Sequence, residues 1–210
     1  MYAIYCIYTF TIICVAILTR MCFMIFRTFT TKRTHVAFVN NVKTLIILGS
    51  GGHTAEMIRI LSYLEFKNYS PRIYVHADTD VISVEKVQDL EKDNTDYKII
   101  KIQRSREIRQ SYFTSIYTTL WATLESIPLL WTERPDLLLC NGPGTCVPLC
   151  IIMFLFKVFF VTRTTIVFIE SFCRVHTLSL SGKILYYIVD YLLVQWPSLS
   201  KPMYKKAIYI

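Results

Sequence analysis

Short apolar runs alternate with amphipathic segments through most of this sequence, and that alternation limits the folds open to it. Six apolar runs of five or six residues span 43–48, 72–76, 97–102, 136–140, 164–169 and 191–195. Helical patterns separate or follow them over 54–66, 80–92, 111–130, 146–156 and 181–189. Because strands that alternate with helices form a parallel sheet covered on both faces, we predict a doubly wound parallel α/β domain over residues 34–210.

A long uncharged apolar segment precedes this domain. It runs from Tyr2 to Thr19, and residues 21–26 extend it beyond Arg20. At 1.5 Å per helical residue it covers a hydrocarbon core of about 30 Å, with Arg20 reaching toward the interface. A cleaved signal peptide is the alternative, but it needs a basic stretch before the apolar run and a small-residue cleavage site after it, and neither is present. We therefore predict a single membrane-spanning anchor within residues 1–33.

The charges are distributed unevenly along the chain. Of the net charge of +8, residues 1–33 hold four bases without an acid, and the C-terminal tail holds Lys201, Lys205 and Lys206 without an acid. Positive charges that follow the span place the bulk of the chain on the cytosolic side of the membrane. The body between these segments is close to neutral, whereas a nucleic-acid partner requires a basic surface on the folded domain. We therefore expect a membrane partner and no nucleic acid.

The cysteines, the histidines and the length exclude further classes. The seven cysteines form no CxxC pair, which favours free thiols in a reducing compartment. The four histidines are too dispersed for a metal site, and we predict none. A chain of 210 residues holds one domain and an appendage, but not two full domains.

The first candidate site is the sequence GSGGHT at 49–54, between the first predicted strand and the first predicted helix. Glycines at such a junction allow a sharp turn, and the helix N-terminus attracts an anion. The loop is neither a P-loop nor a full dinucleotide fingerprint, because no Gly-Lys-Ser/Thr closes it and Thr54 replaces the third glycine. We predict a phosphate or diphosphate site; a turn used only for packing is the alternative.

Two more segments follow predicted strands and should lie on the same rim. The loop NGPGT at 141–145 follows the strand 136–140, and Glu170 follows the strand 164–169. In an open α/β sheet the loops at the carboxyl ends of the strands line the ligand crevice. Taken by itself, Glu170 is better interpreted as an ordinary helix-capping or solvated acid. Histidine side chains exchange protons near neutral pH, and the position of His53 beside the anion loop makes it a candidate general base.

A basic run and two apolar helices bear on the membrane. The basic residues between the third strand and the next helix are Lys98, Lys101, Arg104, Arg106 and Arg109. They form a solvated face, or attract anionic lipid or a lipid-linked pyrophosphate. The apolar face of 111–130 either belongs to the core, which we favour, or rests on lipid. The run 146–156 is too short to span a bilayer and predicts a buried or membrane-surface helix.

These elements together resemble the membrane-anchoring subunit family of the heterodimeric UDP-N-acetylglucosamine transferase of asparagine-linked glycosylation. The resemblance covers residues 45–210 and rests on long ordered blocks. The blocks are GSGGHTAEMIRIL (49–61), SPRIYVHADTD (70–80), RSRE (104–107), RPDLLLCNGPGTCVPLC (134–150), VFIESFCRVHTLSLSGKILYYIVDYLLVQWP (167–197) and the closing YKKAIYI.

The resemblance implies half of an enzyme. It implies a Rossmann-like domain similar to the acceptor-binding half of a GT-B glycosyltransferase, related to the bacterial lipid-linked peptidoglycan precursor transferase. A cytosolic partner subunit would supply the domain that holds UDP-GlcNAc. The pair would add the second GlcNAc, in β1,4 linkage, to GlcNAc-diphosphodolichol on the cytosolic face of the endoplasmic reticulum. No resident cofactor is expected.

The resemblance also implies roles for individual residues. Two candidate bases, His53 and Glu170, would take the proton of the acceptor hydroxyl in an inverting displacement. The residues implied to bind the acceptor or its diphosphate are Gly49, Ser50, Gly51, Gly52, Thr54, Asn141, Gly142, Gly144, Thr145, Arg104 and Arg106.

The C-terminal region is expected to bind the partner. Relatives continue past the last hydrophobic segment with a glycine and a short basic, apolar tail, whereas this sequence stops at Tyr209-Ile210. Truncation and altered docking both remain open. Two other functions also remain open: a membrane adaptor that touches no substrate, and a nucleotide-binding enzyme that acts alone.

Overall fold

The computed structural model describes residues 2–30, 41–103, 112–142, 144–200 and 202–210, with backbone alone for Ala3 and residues 112–116. Seven strands in the described residues are β1 (Thr44–Ile47), β2 (Arg72–Ala77), β3 (Tyr97–Ile102), β4 (Leu137–Asn141), β5 (Thr165–Ile169), β6 (Tyr191–Val194) and β7 (Ala207–Tyr209). The α-helices there are α1 (Tyr2–Thr30), α2 (Gly52–Leu61), α3 (Val81–Leu90), α4 (Tyr112–Glu133), α5 (Cys146–Val158) and α6 (Leu180–Leu185).

All seven strands form one parallel sheet in the order β3-β2-β1-β4-β5-β6-β7. The chain moves outward from β1 to β3, returns to pair β4 with β1, and then moves outward to β7. This is the doubly wound topology, and the prediction of a parallel α/β fold is confirmed. Each of the six apolar runs matches a strand to within one residue at either end. The missed strand is β7, three residues beside Lys205 and Lys206, which is too short for an alternation signal.

Helices cover both faces of the sheet. On one face, α2 and α3 pack with Met57, Leu61 and Val87 in the core. On the other face, α5 lies between α4 and α6 and buries Leu149 and Met153 completely. Of the two interpretations of the run 146–156, the buried helix is therefore the one observed.

The apolar face predicted for α4 is not in the core. The buried side chains of α4 include Ala122, Ser126 and Leu130. The residues that share the exposed side, called the α4 stripe here, are Tyr117, Leu120, Trp121, Leu124 and Trp131, with 49–70% of their surface accessible. The interpretation of this face as core was wrong because α4 carries apolar residues on two sides, and only one side can face the sheet.

The N-terminal helix α1 is long and apolar enough over Ile4–Thr30 to cross a membrane. Its second half rests on the domain, where Ile17, Met21 and Ile25 contact the core beneath α5 and α6. Arg20 donates hydrogen bonds to the carbonyl oxygens of Lys157 and Val158 at the C-terminus of α5. These carbonyls have no partner within their own helix, and the end of α5 carries partial negative charge, so the guanidinium stabilises the junction.

A buried ion pair joins β2, the neighbour of the edge strand β3, to the end of α3. Arg72 of β2 forms two hydrogen bonds of 2.5 and 2.8 Å with the carboxylate of Glu91, which is fully buried at the end of α3. The hydroxyl of Tyr74 donates to the same carboxylate. Burial, together with the hydrogen bond to Glu91, raises the pKa of Tyr74 above its usual range. Every charge in this cluster therefore has a partner.

Removal of one partner from this cluster will destabilise the fold strongly. Glu91→Leu leaves the Arg72 guanidinium buried and unpaired, and the free energy of unfolding should fall by about 3–5 kcal/mol. The double variant Arg72→Met/Glu91→Leu should recover much of that loss, because apolar side chains of similar volume replace the pair. Denaturant titration of the detergent-solubilised chain measures the free energy of unfolding of both variants. Equal losses in the single and the double variant would contradict this account.

Candidate functional site

The two glycine loops meet at the point where the sheet changes winding direction. Strand β1 pairs with β4 in parallel, with Ile47 opposite Cys140, so both strands end at the same edge. The loop at 48–52 follows β1 and the loop at 142–145 follows β4. In a doubly wound sheet the crevice beyond such a switch point is where ligands bind. The predicted co-location of the two loops is therefore confirmed.

The first loop turns sharply into α2. Gly51 has a φ of 62°, a conformation that favours glycine, and it caps α2 without a side-chain hydrogen bond. A Cβ added at Gly51 or Gly52 would meet no atom within 4 Å, so the outer side of this loop faces open space. The first N–H groups of α2 therefore point toward an accessible surface.

Thr54 stabilises this loop from behind. It is 1% exposed, and its hydroxyl donates to the carbonyl oxygen of Gly49 and lies 2.6 Å from the hydroxyl of Ser83. Ser83 also contacts Gly49 and the carboxylate of Asp80. The predicted diphosphate-binding role of Thr54 does not fit this arrangement, because the side chain lies in the interior between α2 and α3.

The second loop presses against His53. The side-chain oxygen Oδ1 of Asn141 lies 3.0 Å from Nδ1 of His53, and Asn141 is fully buried at the end of β4. Gly142 has a φ of 64°, and a Cβ there would lie 2.4 Å from Cε1 of His53. Only glycine lets the imidazole approach this closely. Among the described residues, Nδ2 of Asn141 is a buried polar atom without a hydrogen-bond partner.

Glu170 is placed on the same edge but is committed to its own loop. Strand β5 pairs with β4, with Asn141 opposite Ile169, so the loops after both strands are neighbours. The Glu170 carboxylate is fully buried and accepts hydrogen bonds from the backbone N–H groups of Ser171 and Ser179. The Ser179 hydroxyl, which caps α6, donates to it as well. This geometry is that of a residue that holds the 171–179 loop.

The sequence reasoning missed Glu56, which ties this loop to α2. Its carboxylate accepts hydrogen bonds from the backbone N–H of Phe172 (2.6 Å), from the Ser171 hydroxyl (3.2 Å) and from the side-chain amide of Gln195. Glu56 lies three residues after His53, and side chains at that spacing share one face of a helix. That spacing was the available signal.

The remaining predicted residues are placed unevenly. Gly144 faces open space and Thr145 is largely buried at the start of α5. Arg104 and Arg106 lie outside the described residues, as does Pro143 of the second loop. Within the described part of the chain no cluster of three or more histidine, cysteine or acidic side chains could hold a metal ion.

The electrostatics of this crevice favour an anion. Helices α2 and α5 both begin at it, at Gly52 and Cys146, and neither N-terminus is capped by a side-chain hydrogen bond. Each carries partial positive charge and first-turn N–H groups without intrahelical partners, although in α5 Pro148 has no N–H and the N–H of Val147 donates to the carbonyl oxygen of Gly144. The unpaired Nδ2 of Asn141 adds a buried donor. A phosphate or diphosphate group matches this set of donors.

Comparison with known proteins identifies a family. The family model described as "Oligosaccharide biosynthesis protein Alg14 like" matches residues 44–210. The UDP-N-acetylglucosamine transferase subunit ALG14 of Rattus norvegicus is 47% identical over 175 residues, which cover 79% of this chain and 80% of the relative. The subunits of the same name from Homo sapiens and Schizosaccharomyces pombe are each 46% identical, over 81% and 79% of this chain and 82% and 80% of their own lengths.

The fold has a counterpart among solved structures. The crystal structure of Acinetobacter baumannii MurG superposes with a TM-score of 0.57 at 13% identity. The match covers 80% of this chain but only 45% of the MurG chain. At this identity the likeness concerns the fold, which is the fold of one half of a GT-B glycosyltransferase.

Substitution of Gly142 will disturb His53. In Gly142→Ala the new Cβ would collide with the imidazole and strain a positive φ, so the free energy of unfolding should fall by about 1–3 kcal/mol and the His53 ring signals should shift in NMR spectra. Gly144→Ala is the matched control, since its Cβ meets nothing within 4 Å and the φ is not positive. Equal effects of the two substitutions would refute the close contact.

Proposed function

The chain belongs to the Alg14 family, and we propose that it is the acceptor-binding, membrane-anchoring subunit of a UDP-GlcNAc transferase. With a cytosolic donor-binding subunit it adds the second GlcNAc, in β1,4 linkage, to GlcNAc-diphosphodolichol at the endoplasmic reticulum. The observation that carries this proposal is the meeting of two glycine loops and two uncapped helix N-termini around His53 and Asn141. That arrangement suits a diphosphate with a hydroxyl nucleophile nearby.

The diphosphate of the acceptor lies at the crevice in this proposal. The N–H groups at the starts of α2 and α5 bind its oxygen atoms, and the glycines keep side chains out of the way. One wall of the crevice is the first loop, with Gly49, Ser50, Gly51 and Gly52. The other wall is the second loop, with Gly142, Gly144 and Thr145. Arg104 and Arg106 remain proposed contributors of positive charge.

His53 is the better of the two candidate bases. Its ring is partly accessible, and Nδ1 faces Asn141, which leaves Nε2 for the substrate. Glu170 is fully buried and its oxygens accept three hydrogen bonds from its own loop. His53 therefore takes the proton from the acceptor hydroxyl as that oxygen bonds to the anomeric carbon, and the bond from that carbon to UDP breaks.

The partner supplies the donor-binding wall. This chain corresponds to less than half of the MurG chain that shares its fold. The two walls of the crevice in this chain hold the acceptor diphosphate, and a transferase needs a further binding surface for the nucleotide sugar. We propose that the C-terminal region, where β7 forms the edge of the sheet, binds the partner.

The membrane supplies the acceptor. We propose a single-pass orientation in which α1 spans the bilayer and the domain lies on the cytosolic face. The α4 stripe then rests on lipid, as an amphipathic surface helix rich in tryptophan and tyrosine does. Trp131 of the stripe contacts Phe156 of α5 at a ring-centroid distance of 5.7 Å. Phe156 lies within one helical turn of Val158, whose carbonyl oxygen accepts a hydrogen bond from Arg20.

Turnover by the reconstituted pair tests the base. His53→Gln should lower kcat about 10²-fold or more while the variant still co-purifies with the partner, because a positioned base contributes about that much. His176→Gln is the control, since that histidine is exposed in the 171–179 loop.

Other outcomes separate the alternatives. An adaptor without substrate contacts would tolerate both histidine substitutions. Turnover by the purified chain alone would favour a self-sufficient enzyme. A Glu170→Gln variant that folds and binds the partner but has no activity, beside an active His53→Gln, would assign the base to Glu170.

Fluorescence quenching tests the contact of the α4 stripe with lipid. Of three single-tryptophan variants reconstituted in vesicles, those that retain Trp121 or Trp131 should be quenched by lipids brominated near the headgroup. The variant that retains Trp196 should not, because this side chain lies outside the α4 stripe, after β6, where its ring and its indole N–H contact Phe172 of the loop after β5. Equal quenching of all three would contradict the proposed orientation.

A further inference from the structure

With its side-chain oxygen toward His53, Asn141 can only accept the hydrogen bond that joins the two residues. An amide oxygen carries no proton, so Oδ1 of Asn141 must accept, and Nδ1 of His53, 3.0 Å away, must donate. We infer that Asn141 is a positioning residue that keeps the His53 proton on Nδ1 and leaves the lone pair of Nε2 for the acceptor hydroxyl. The base role of Nε2 rests on the proposed function; the tautomer does not.

Asn141 is built to hold this geometry. It is the last residue of β4, paired with Ile169 of β5, so its backbone belongs to the sheet and not to the loop. Its side chain has no exposed surface. Gly142 closes the other side of the ring, since any Cβ there would collide with Cε1 and Nδ1 of His53. A rigid element therefore fixes both the amide and the space that the imidazole fills.

The amide nitrogen Nδ2 of Asn141 links the position of the His53 proton to ligand binding. Nδ2 is buried and has no partner among the described residues, and an unpaired buried donor is costly. An oxygen atom of the bound acceptor would satisfy it. The same side chain thus orients the base through Oδ1 and contacts the substrate through Nδ2, which aligns the two groups that must react.

If the Asn141 amide were reversed, the proton of His53 would be expected on the other ring nitrogen. With Nδ2 turned toward His53, Nδ1 would have to accept and the ring proton would move to Nε2, which could not then act as a base. The position of one proton therefore distinguishes the two arrangements, and it is measurable in the absence of substrate.

Long-range ¹H–¹⁵N correlation spectra of the ¹⁵N-histidine-labelled full chain in detergent micelles, above the pKa of the ring, report this proton. His53, assigned from the His53→Gln spectrum, should show the Nδ1–H pattern. Asn141→Leu should convert it to the Nε2–H form that a free imidazole favours, and Asn141→Asp should preserve it. His76 is the internal control, because its Nδ1 lies 2.9 Å from the carbonyl oxygen of Ala77 and should keep its proton in every variant.

Steady-state kinetics test the effect of Asn141 on turnover. The assay contains the chain, its partner and a synthetic GlcNAc-diphosphate lipid as acceptor. Asn141→Leu should lower kcat about 10²-fold, the scale of a misplaced base. Asn141→Asp should retain a larger kcat and shift the acid limb of its pH profile upward, since a neighbouring carboxylate raises the pKa of an imidazole. Both variants should raise KM, because each lacks the Nδ2 donor.

The outcomes separate this inference from the proposed function. An Nε2–H pattern for His53 in the unsubstituted chain, or an unchanged pattern in a folded Asn141→Leu, overturns the positioning role of Asn141. The preserved His76 signal shows that the variant is folded. If the Nδ1–H pattern is found but His53→Gln keeps full kcat, the positioning is correct and the base role in the proposed function is wrong.

Discussion

The parallel pairing of β1 with β4 is the constraint on which the rest of this molecule depends. These strands are separated by β2 and β3 in the sequence but are neighbours in the sheet, and their carboxyl ends bring two glycine loops together. Without that pairing, His53 and Asn141, which are 88 residues apart, could not form a hydrogen bond. The helices α2 and α5 also begin at this edge, so one topological choice places every donor of the crevice.

The residues around the crevice divide into those that face it and those that hold it. Thr54 and Ser83 stabilise the first loop from the interior, and Glu170 holds the 171–179 loop. Glu56 joins that loop to α2 through three hydrogen bonds. Most side-chain polar groups near the edge are therefore already paired. What remains for a ligand is mainly backbone N–H, the imidazole of His53 and one amide group.

The sequence was sufficient for the fold because each strand except the short β7 is a distinct apolar run and each helix has its own period. It also placed the glycine loops on one edge, since that follows from parallel strands alone. The pairing of His53 with Asn141 depends on register between distant strands, which no local pattern carries. For the same reason the carboxylate of Glu170 was assigned to the crevice, although its partners lie in the loop that follows it. The α4 stripe was misplaced because periodicity identifies an apolar face without saying what covers it.

Helix α5 connects the N-terminal helix α1 to the crevice. Its first residue, Cys146, follows the second glycine loop, and its last, Val158, accepts a hydrogen bond from Arg20 of α1. Thirteen helical residues make a rigid element of about 20 Å, so the crevice cannot move far from the point where Arg20 of α1 contacts the domain. In the proposed reaction the acceptor is linked to dolichol, and its diphosphate stays at the headgroup layer because the lipid cannot leave the bilayer. Under the proposed function, α4 resting on the membrane would lay the adjacent α5 near that layer and bring the loop to the substrate.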